Sequence, residues 1–131
     1  MDLFPMSVPT STLDRLNELS PASRFDERRF RMNVIVRTQG PGFVENEWVG
    51  RGLGFGGGVQ LAVSIPDPRC VMPTLMQEDL PKDNEILRTL VRHNRLDVAG
   101  ALSPCAGIYA TVTAAGTIRP GDPSRLRWSL V

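Results

Sequence analysis

The sequence predicts a mainly β fold: a small β-barrel with two short helices, in a single domain over residues 1–131. Eleven prolines and twelve glycines favour frequent turns, and therefore short strands over long helices. Two stretches alternate apolar and polar side chains as strands do, and two others carry apolar side chains at helical spacing. A hydrophobic share of 41% is enough for one core.

The first helix is predicted at residues 12–19, because three leucines lie at helical spacing and Ser11 to Asp14 match a capping box. The stretch 31–38, RMNVIVRT, then alternates as a strand does. Side chains that alternate with a period of two form two faces, a mainly apolar face with Met32, Val34 and Val36 and a more polar face with Arg31, Asn33, Ile35 and Arg37. If this strand begins a little earlier, Arg29 joins the more polar face.

The glycine-rich stretch 50–58 follows a short irregular or helical piece around Trp48. It contains Gly52, Gly54 and Gly57 at the spacing of a dinucleotide-binding fingerprint. That motif lies between a strand and a helix, whereas here the next element is a strand predicted at 59–65. A flexible turn between strands is therefore the better interpretation.

The second helix is predicted at residues 83–94, with four apolar residues at helical spacing and Asp83 or Asn84 as its cap. His93, the single histidine, falls in the last turn, which favours a solvated residue over a catalytic one. Further strands are expected at 108–113, at 117–119 and, after a turn at Pro120 and Gly121, around Leu126 and Trp128.

The net charge of +1 argues against a nucleic-acid or membrane partner. No apolar run approaches the roughly 18 residues of a membrane span, and the first residues lack the pattern of a signal peptide. A cytoplasmic location follows as an expectation, with Cys70 and Cys105 reduced. Two cysteines and one histidine cannot supply the four ligands of a structural zinc site.

Cys70 follows the clearest predicted strand, in the proline-rich stretch SIPDPRCVMPT of residues 64–74. A neighbouring guanidinium favours the thiolate, which is the form that reacts or binds metal. Adjacent residues of an extended segment point to opposite sides, however, so Arg69 need not contact the sulfur. The residues alone leave two interpretations open: an inert core cysteine, or a thiol presented for chemistry.

Five short pieces lie in order along residues 24–123: RFRMNV (29–34), FVENEW (43–48), the Arg69–Cys70 pair, GIY (107–109) and GTIRPGD (116–122). In this order they resemble the later part of the MOSC domain, a module named for the C-terminus of molybdenum cofactor sulfurase. That domain has substantial sequence before its R-F-R stretch, whereas about two dozen residues precede it here. We therefore expect a barrel incomplete at its N-terminus. Three interpretations stay open: a shortened form of a longer protein, a half that a partner chain completes, or a relative that no longer binds the cofactor of this family.

The resemblance implies a pocket for a molybdenum-pterin cofactor. Cys70 falls where the family has a cysteine that ligates the metal in one branch and carries sulfur as a persulfide in others. The first role implies reduction of N-oxygenated substrates, with electrons from an outside donor. The cofactor also carries a phosphate, for which these donors are expected: Arg29, Arg31, Asn33, Arg69 and Thr74.

The alternative is a non-catalytic β-barrel module that binds a partner protein or an anionic ligand through its arginine-rich face. That face also has a simpler interpretation, as a solvated surface whose arginines pair with Asp26 and Glu27. Cys105 is expected in a loop or in the core.

Overall fold

The computed structural model describes residues 3–127, in which it places six strands, two α-helices and three short 3-10 turns. The strands are β1 (Phe4–Ser7), β2 (Gly52–Phe55), β3 (Gln60–Pro68), β4 (Arg95–Val98), β5 (Ala101–Ala114) and β6 (Ser124–Arg127). The helices are α1 (Thr10–Leu19) and α2 (Glu85–His93), and the 3-10 turns span Glu27–Arg29, Val44–Trp48 and Met72–Thr74. The predicted mainly β class with two helices is confirmed.

All strand pairs are antiparallel, in the order β1-β5-β3-β2-β6, and β4 pairs with the start of β5. The long strand β5 is central: Ala110 lies opposite Phe4 of β1 and opposite Val63 of β3. Within residues 3–127 the sheet stays open, because β1 and β6 each pair with a single strand. The predicted barrel is therefore not confirmed.

The prediction of a regular strand at 31–38 is wrong, although its two-faced pattern is confirmed. The segment runs beside β1 in the same direction, and the Val34 N–H donates to the Met6 carbonyl (2.9 Å). A ladder cannot continue, because β1 leads into Pro9, which has no N–H, and the chain then turns into α1. Val36 is buried whereas Ile35 is exposed, as the alternation predicts.

The core has two parts, one beneath the sheet and one between the helices. Ile108 and Ala110 of β5 lie in the first part with residues of β1, β2 and β3. Leu16 of α1 and Leu90 of α2 lie in the second part, beside Phe30. Burying each such side chain contributes about 1.5–3 kcal/mol, so both helices are fixed to the sheet mainly by packing.

Helix α1 begins at Thr10, earlier than predicted, and the expected capping box is absent. No side chain caps the helix, since Pro9 stands at the cap position. Ser11 lies inside the helix, and its hydroxyl instead shares a hydrogen bond with that of Thr38 (2.6 Å). At the start of α2, Asp83, one of the two predicted capping residues, does accept a backbone hydrogen bond: its carboxylate binds the Glu85 N–H (2.9 Å).

The glycine-rich stretch forms a hairpin and not a nucleotide-binding loop, since β2 and β3 follow each other as paired strands. At Gly57 a Cβ would lie 2.1 Å from the Thr117 carbonyl oxygen, so a glycine is required there. The stretch 117–119 passes over this turn without forming the predicted strand. The last strand is β6, and the part predicted at Trp128 lies outside the described residues.

Glu45 ties three elements together from a fully buried position. Its carboxylate accepts the Thr12 hydroxyl of α1 (2.6 Å) and the Gly107 N–H of β5 (2.9 Å). Gly107 is itself obligatory, because its φ is +85° and a Cβ would meet the Ser7 carbonyl at 2.5 Å. Burial raises the pKa of Glu45, and these two hydrogen bonds oppose that rise.

Lowering the pH from about 8 to about 5 is expected to stabilise the wild-type chain relative to Glu45→Gln. The unfolded chain releases the Glu45 proton near the ordinary pKa of 4.5, whereas the folded chain retains it to higher pH. The buried charge therefore destabilises the fold at high pH, and protonation removes that cost. Urea unfolding of both proteins across this range measures the effect. A difference in stability that does not change with pH would contradict it.

Candidate functional site

Cys70 follows the end of β3, and its side chain is exposed. Backbone hydrogen bonds fix the chain on either side of Cys70. The Arg69 N–H donates to the Pro104 carbonyl (2.8 Å), and the Thr74 N–H donates to the Val71 carbonyl (2.9 Å). The short turn Met72–Thr74 follows, with a proline within it. The thiol therefore reaches solvent from a loop, residues 69–74, whose backbone is fixed by hydrogen bonds. This segment is called the Cys70 loop below.

The largely buried side chain of Arg69 attaches this loop to the rest of the fold. Its guanidinium pairs with Asp67, and only 10% and 3% of the two side chains are exposed. It also donates to the Phe30 carbonyl (2.7 Å) and lies 5.2 Å from the centroid of the Phe30 ring. Burial raises the pKa of Asp67, and the Arg69 charge opposes that rise. Arg69 therefore faces Asp67 and Phe30, with little of it left for a ligand.

Arg29 is 1% exposed, and no ion pair within residues 3–127 includes it. Its guanidinium donates to three carbonyl oxygens, those of Arg24 (2.8 Å), Pro81 (3.0 Å) and Pro73 (3.3 Å). Pro73 belongs to the turn after Cys70, so Arg29 fixes the far side of the same loop. The expectation that Arg29 shares the face of Arg31 is wrong, because the 3-10 turn Glu27–Arg29 directs it inward.

Arg31 and Asn33 are exposed, as expected for the polar face. Arg31 has a left-handed backbone, with φ of +52°, and the Asn33 amide donates to the Pro5 carbonyl (2.7 Å). The pairing of this face with Asp26 is not seen, because Asp26 binds Arg28 and Arg24 instead. Arg31 is left with an accessible guanidinium.

Thr74 is buried, and its hydroxyl donates to the Val71 carbonyl. Of the five expected phosphate donors, three have side chains that are largely buried and hydrogen-bonded within the fold: Arg29, Arg69 and Thr74. As arranged, the five do not form one exposed donor set and do not fit the expected phosphate cradle. A role in cofactor binding stays a prediction, supported by exposure for Arg31 and Asn33 alone.

Cys105 differs from Cys70 in its exposure to solvent. It is fully buried in β5, and its thiol donates to the Ser103 carbonyl (3.4 Å). Burial raises the pKa of Cys105 to about 11, from an ordinary value of 9.0. Neither cysteine is in a disulfide. The chain thus has one accessible thiol and one protected thiol.

An apolar groove of about 360 Å³ runs between the Cys70 loop and α2. Val71, Leu87 and Val91 line it, together with Arg88 and Arg92, which both pair with Glu85. Cys70 itself does not line this groove. Nowhere in residues 3–127 do three or more histidine, cysteine or acidic side chains gather as a metal site would require.

Sequence reasoning missed Asp67, which neutralises the arginine beside Cys70. A signal for it was present, because residues two apart in an extended segment lie on the same side, as Asp67 and Arg69 do. It also missed the burial of Arg29, for which the local sequence gave no signal.

The family model of the MOSC domain matches residues 6–125. The chain therefore belongs to the MOSC-domain family, which is associated with molybdenum-cofactor-related proteins. No curated protein matches the chain. Within the part of the chain that the structure describes, no helix is long and apolar enough to cross a membrane.

Replacing Arg29 by methionine is expected to destabilise the fold by about 2–4 kcal/mol, because three carbonyls lose their donor, and the hydrogen bond to Pro73 is buried. The matched variant is Arg31→Met, two residues away and exposed, which is expected to change stability by about 0.5 kcal/mol or less. Chemical denaturation of the two variants measures the difference. Equal stabilities would show that Arg29 does not fix the loop.

Proposed function

We propose that this MOSC-domain protein carries sulfur as a persulfide on Cys70, for use by molybdenum-cofactor proteins. The observation that supports this most directly is the contrast between its two thiols. Cys70 is exposed on a fixed loop, whereas Cys105 is buried with its pKa raised to about 11. Sulfur transfer requires an accessible thiolate and a second molecule that can approach it.

The transfer itself requires no outside oxidant. The Cys70 thiolate attacks the outer sulfur of a donor persulfide, so a new S–S bond forms while the S–S bond of the donor breaks. The donor leaves as a thiolate, and Cys70 then holds the transferred sulfur. An acceptor nucleophile takes that sulfur in the second step, and the Cys70 thiolate is the leaving group.

The fixed backbone around Cys70 contributes to this chemistry. Arg69 and Arg29 attach the loop on either side. Pro73 within the loop, and Pro66 and Pro68 at the end of β3 before it, restrict the conformations of the chain. A sulfur atom held in one position can be offered to a partner without ordering the loop again at each encounter. Because Cys105 is buried, it does not compete for the incoming sulfur.

Two other functions are ranked below sulfur carriage. Metal ligation by Cys70, with reduction of N-oxygenated substrates by an outside electron donor, requires a cofactor cradle. Arg29, Arg69 and Thr74 make their contacts within the fold and do not supply one. A non-catalytic module that binds through arginines requires no exposed thiol, although Arg31 is accessible for such binding.

Incubation with glutathione persulfide is expected to add one sulfur atom to Cys70, seen by intact mass and by release with cyanide. Cys70→Ser is expected to abolish the addition, and the matched variant Cys105→Ser is expected to keep it. Molybdenum and pterin that purify with the chain and disappear in Cys70→Ser would instead support metal ligation. Anion binding that is unaffected by Cys70→Ser and lost in Arg31→Ala, without sulfur uptake, would support the binding module.

A thiol reagent at neutral pH is expected to label Cys70 at least about a hundredfold faster than Cys105. The pKa of Cys105 rises from 9.0 to about 11, which alone lowers its thiolate fraction by about that factor. Burial of its sulfur slows the reaction further. Peptide mapping after timed labelling gives both rates, and unfolding in denaturant is expected to bring them together. Comparable rates in the folded chain would contradict the contrast.

A further inference from the structure

The segment 33–38 uses one edge of its main chain and leaves the other open. Val34 donates to β1, and the Val36 carbonyl accepts a hydrogen bond from the start of α1 (3.0 Å). The Asn33 N–H also donates to β1 (3.3 Å), so the open part of this edge begins at Ile35. In an extended chain, Ile35 and Arg37 direct their N–H and C=O groups away from the edge that Val34 and Val36 use. Within residues 3–127 these groups have no hydrogen-bond partner.

The open edge borders a cleft of about 920 Å³, with the loop 118–124 on its other side. Val36, Phe55 and Ile118 line the cleft and also pack in or against the core beneath the sheet. The cleft is thus an opening onto this core between segment 33–38 and the loop 118–124. Ile35 stands beside it with 56% of its surface exposed.

The charge around this cleft is mainly positive. Arg37 and Arg119 line it, and neither belongs to an ion pair in the described part of the chain. Asp122 is the single acidic lining residue, and its carboxylate accepts the Arg119 backbone N–H (2.8 Å). A second copy of the chain is a poor match, because the exposed edge strand β6 also carries two arginines.

We propose that the open edge of segment 33–38 binds an extended segment of a partner protein whose side chains alternate apolar and acidic. Main-chain hydrogen bonds to Ile35 and Arg37 would hold the segment as an added strand. Its apolar side chains would enter the cleft over Ile118, and its acidic side chains would lie outside, beside Arg37. This interaction is independent of sulfur transfer at Cys70.

The probe is a capped, fluorescently labelled peptide of about eight residues that alternates valine and glutamate, long enough to span the segment. The full chain is expected to bind it saturably, and hydrogen exchange at the Ile35 and Arg37 amides is expected to slow. Arg37→Glu is expected to weaken binding about tenfold, because an attraction becomes a repulsion. The matched variant Arg92→Glu, exposed on α2, is expected to leave affinity unchanged within about twofold.

Two control peptides separate strand addition from general attraction. A peptide N-methylated at alternate residues keeps its charge and loses its main-chain donors, and a valine–lysine peptide reverses the charge. Equal binding of either control, or no binding of the valine–glutamate peptide, overturns the proposal. Self-association of the chain without peptide binding assigns the edge to a second copy and also overturns it. If Arg37→Glu fails to fold by circular dichroism, Arg119→Glu serves in its place, with the same loss of affinity expected.

Discussion

The loop that presents Cys70 depends on two buried guanidinium groups. An arginine stays charged inside a protein, so its burial is tolerated only where acceptors surround it. Arg69 has Asp67 and the Phe30 carbonyl, and Arg29 has three carbonyls with no carboxylate. Both arginines connect the turn at residues 27–30 to the Cys70 loop, so the two pieces form one unit.

This arrangement gives a different meaning to the arginines around the cysteine. From the sequence, Arg69 and Arg29 resemble ligand-binding residues, because arginine suits phosphate. In the structure both make their contacts within the fold, whereas Arg31 and the two arginines that line the open cleft, Arg37 and Arg119, are exposed. The chemistry at Cys70 is therefore expected to depend on access to the thiol and on the fixed loop more than on a nearby exposed positive charge.

Patterns with a short period were predictable from the sequence. The strand that ends before Cys70, helix α2 and the two faces of segment 33–38 follow from spacing alone. The burial of Arg29 was not predictable, because Pro73 and Pro81, which accept from it, lie 44 and 52 residues away. The open sheet likewise depends on which strands pair over long distances, and local alternation does not specify those partners.

The two proposals concern separate parts of the surface, the exposed thiol of Cys70 and the open edge of segment 33–38. The central claim is that Cys70 carries sulfur, and the most direct measurement is the mass of the chain isolated from cells without reductant. The account predicts a fraction with one extra sulfur atom, located at Cys70 by peptide mapping, with Cys105 unmodified. A chain isolated without sulfur on Cys70, with molybdenum bound through that thiol, would contradict it.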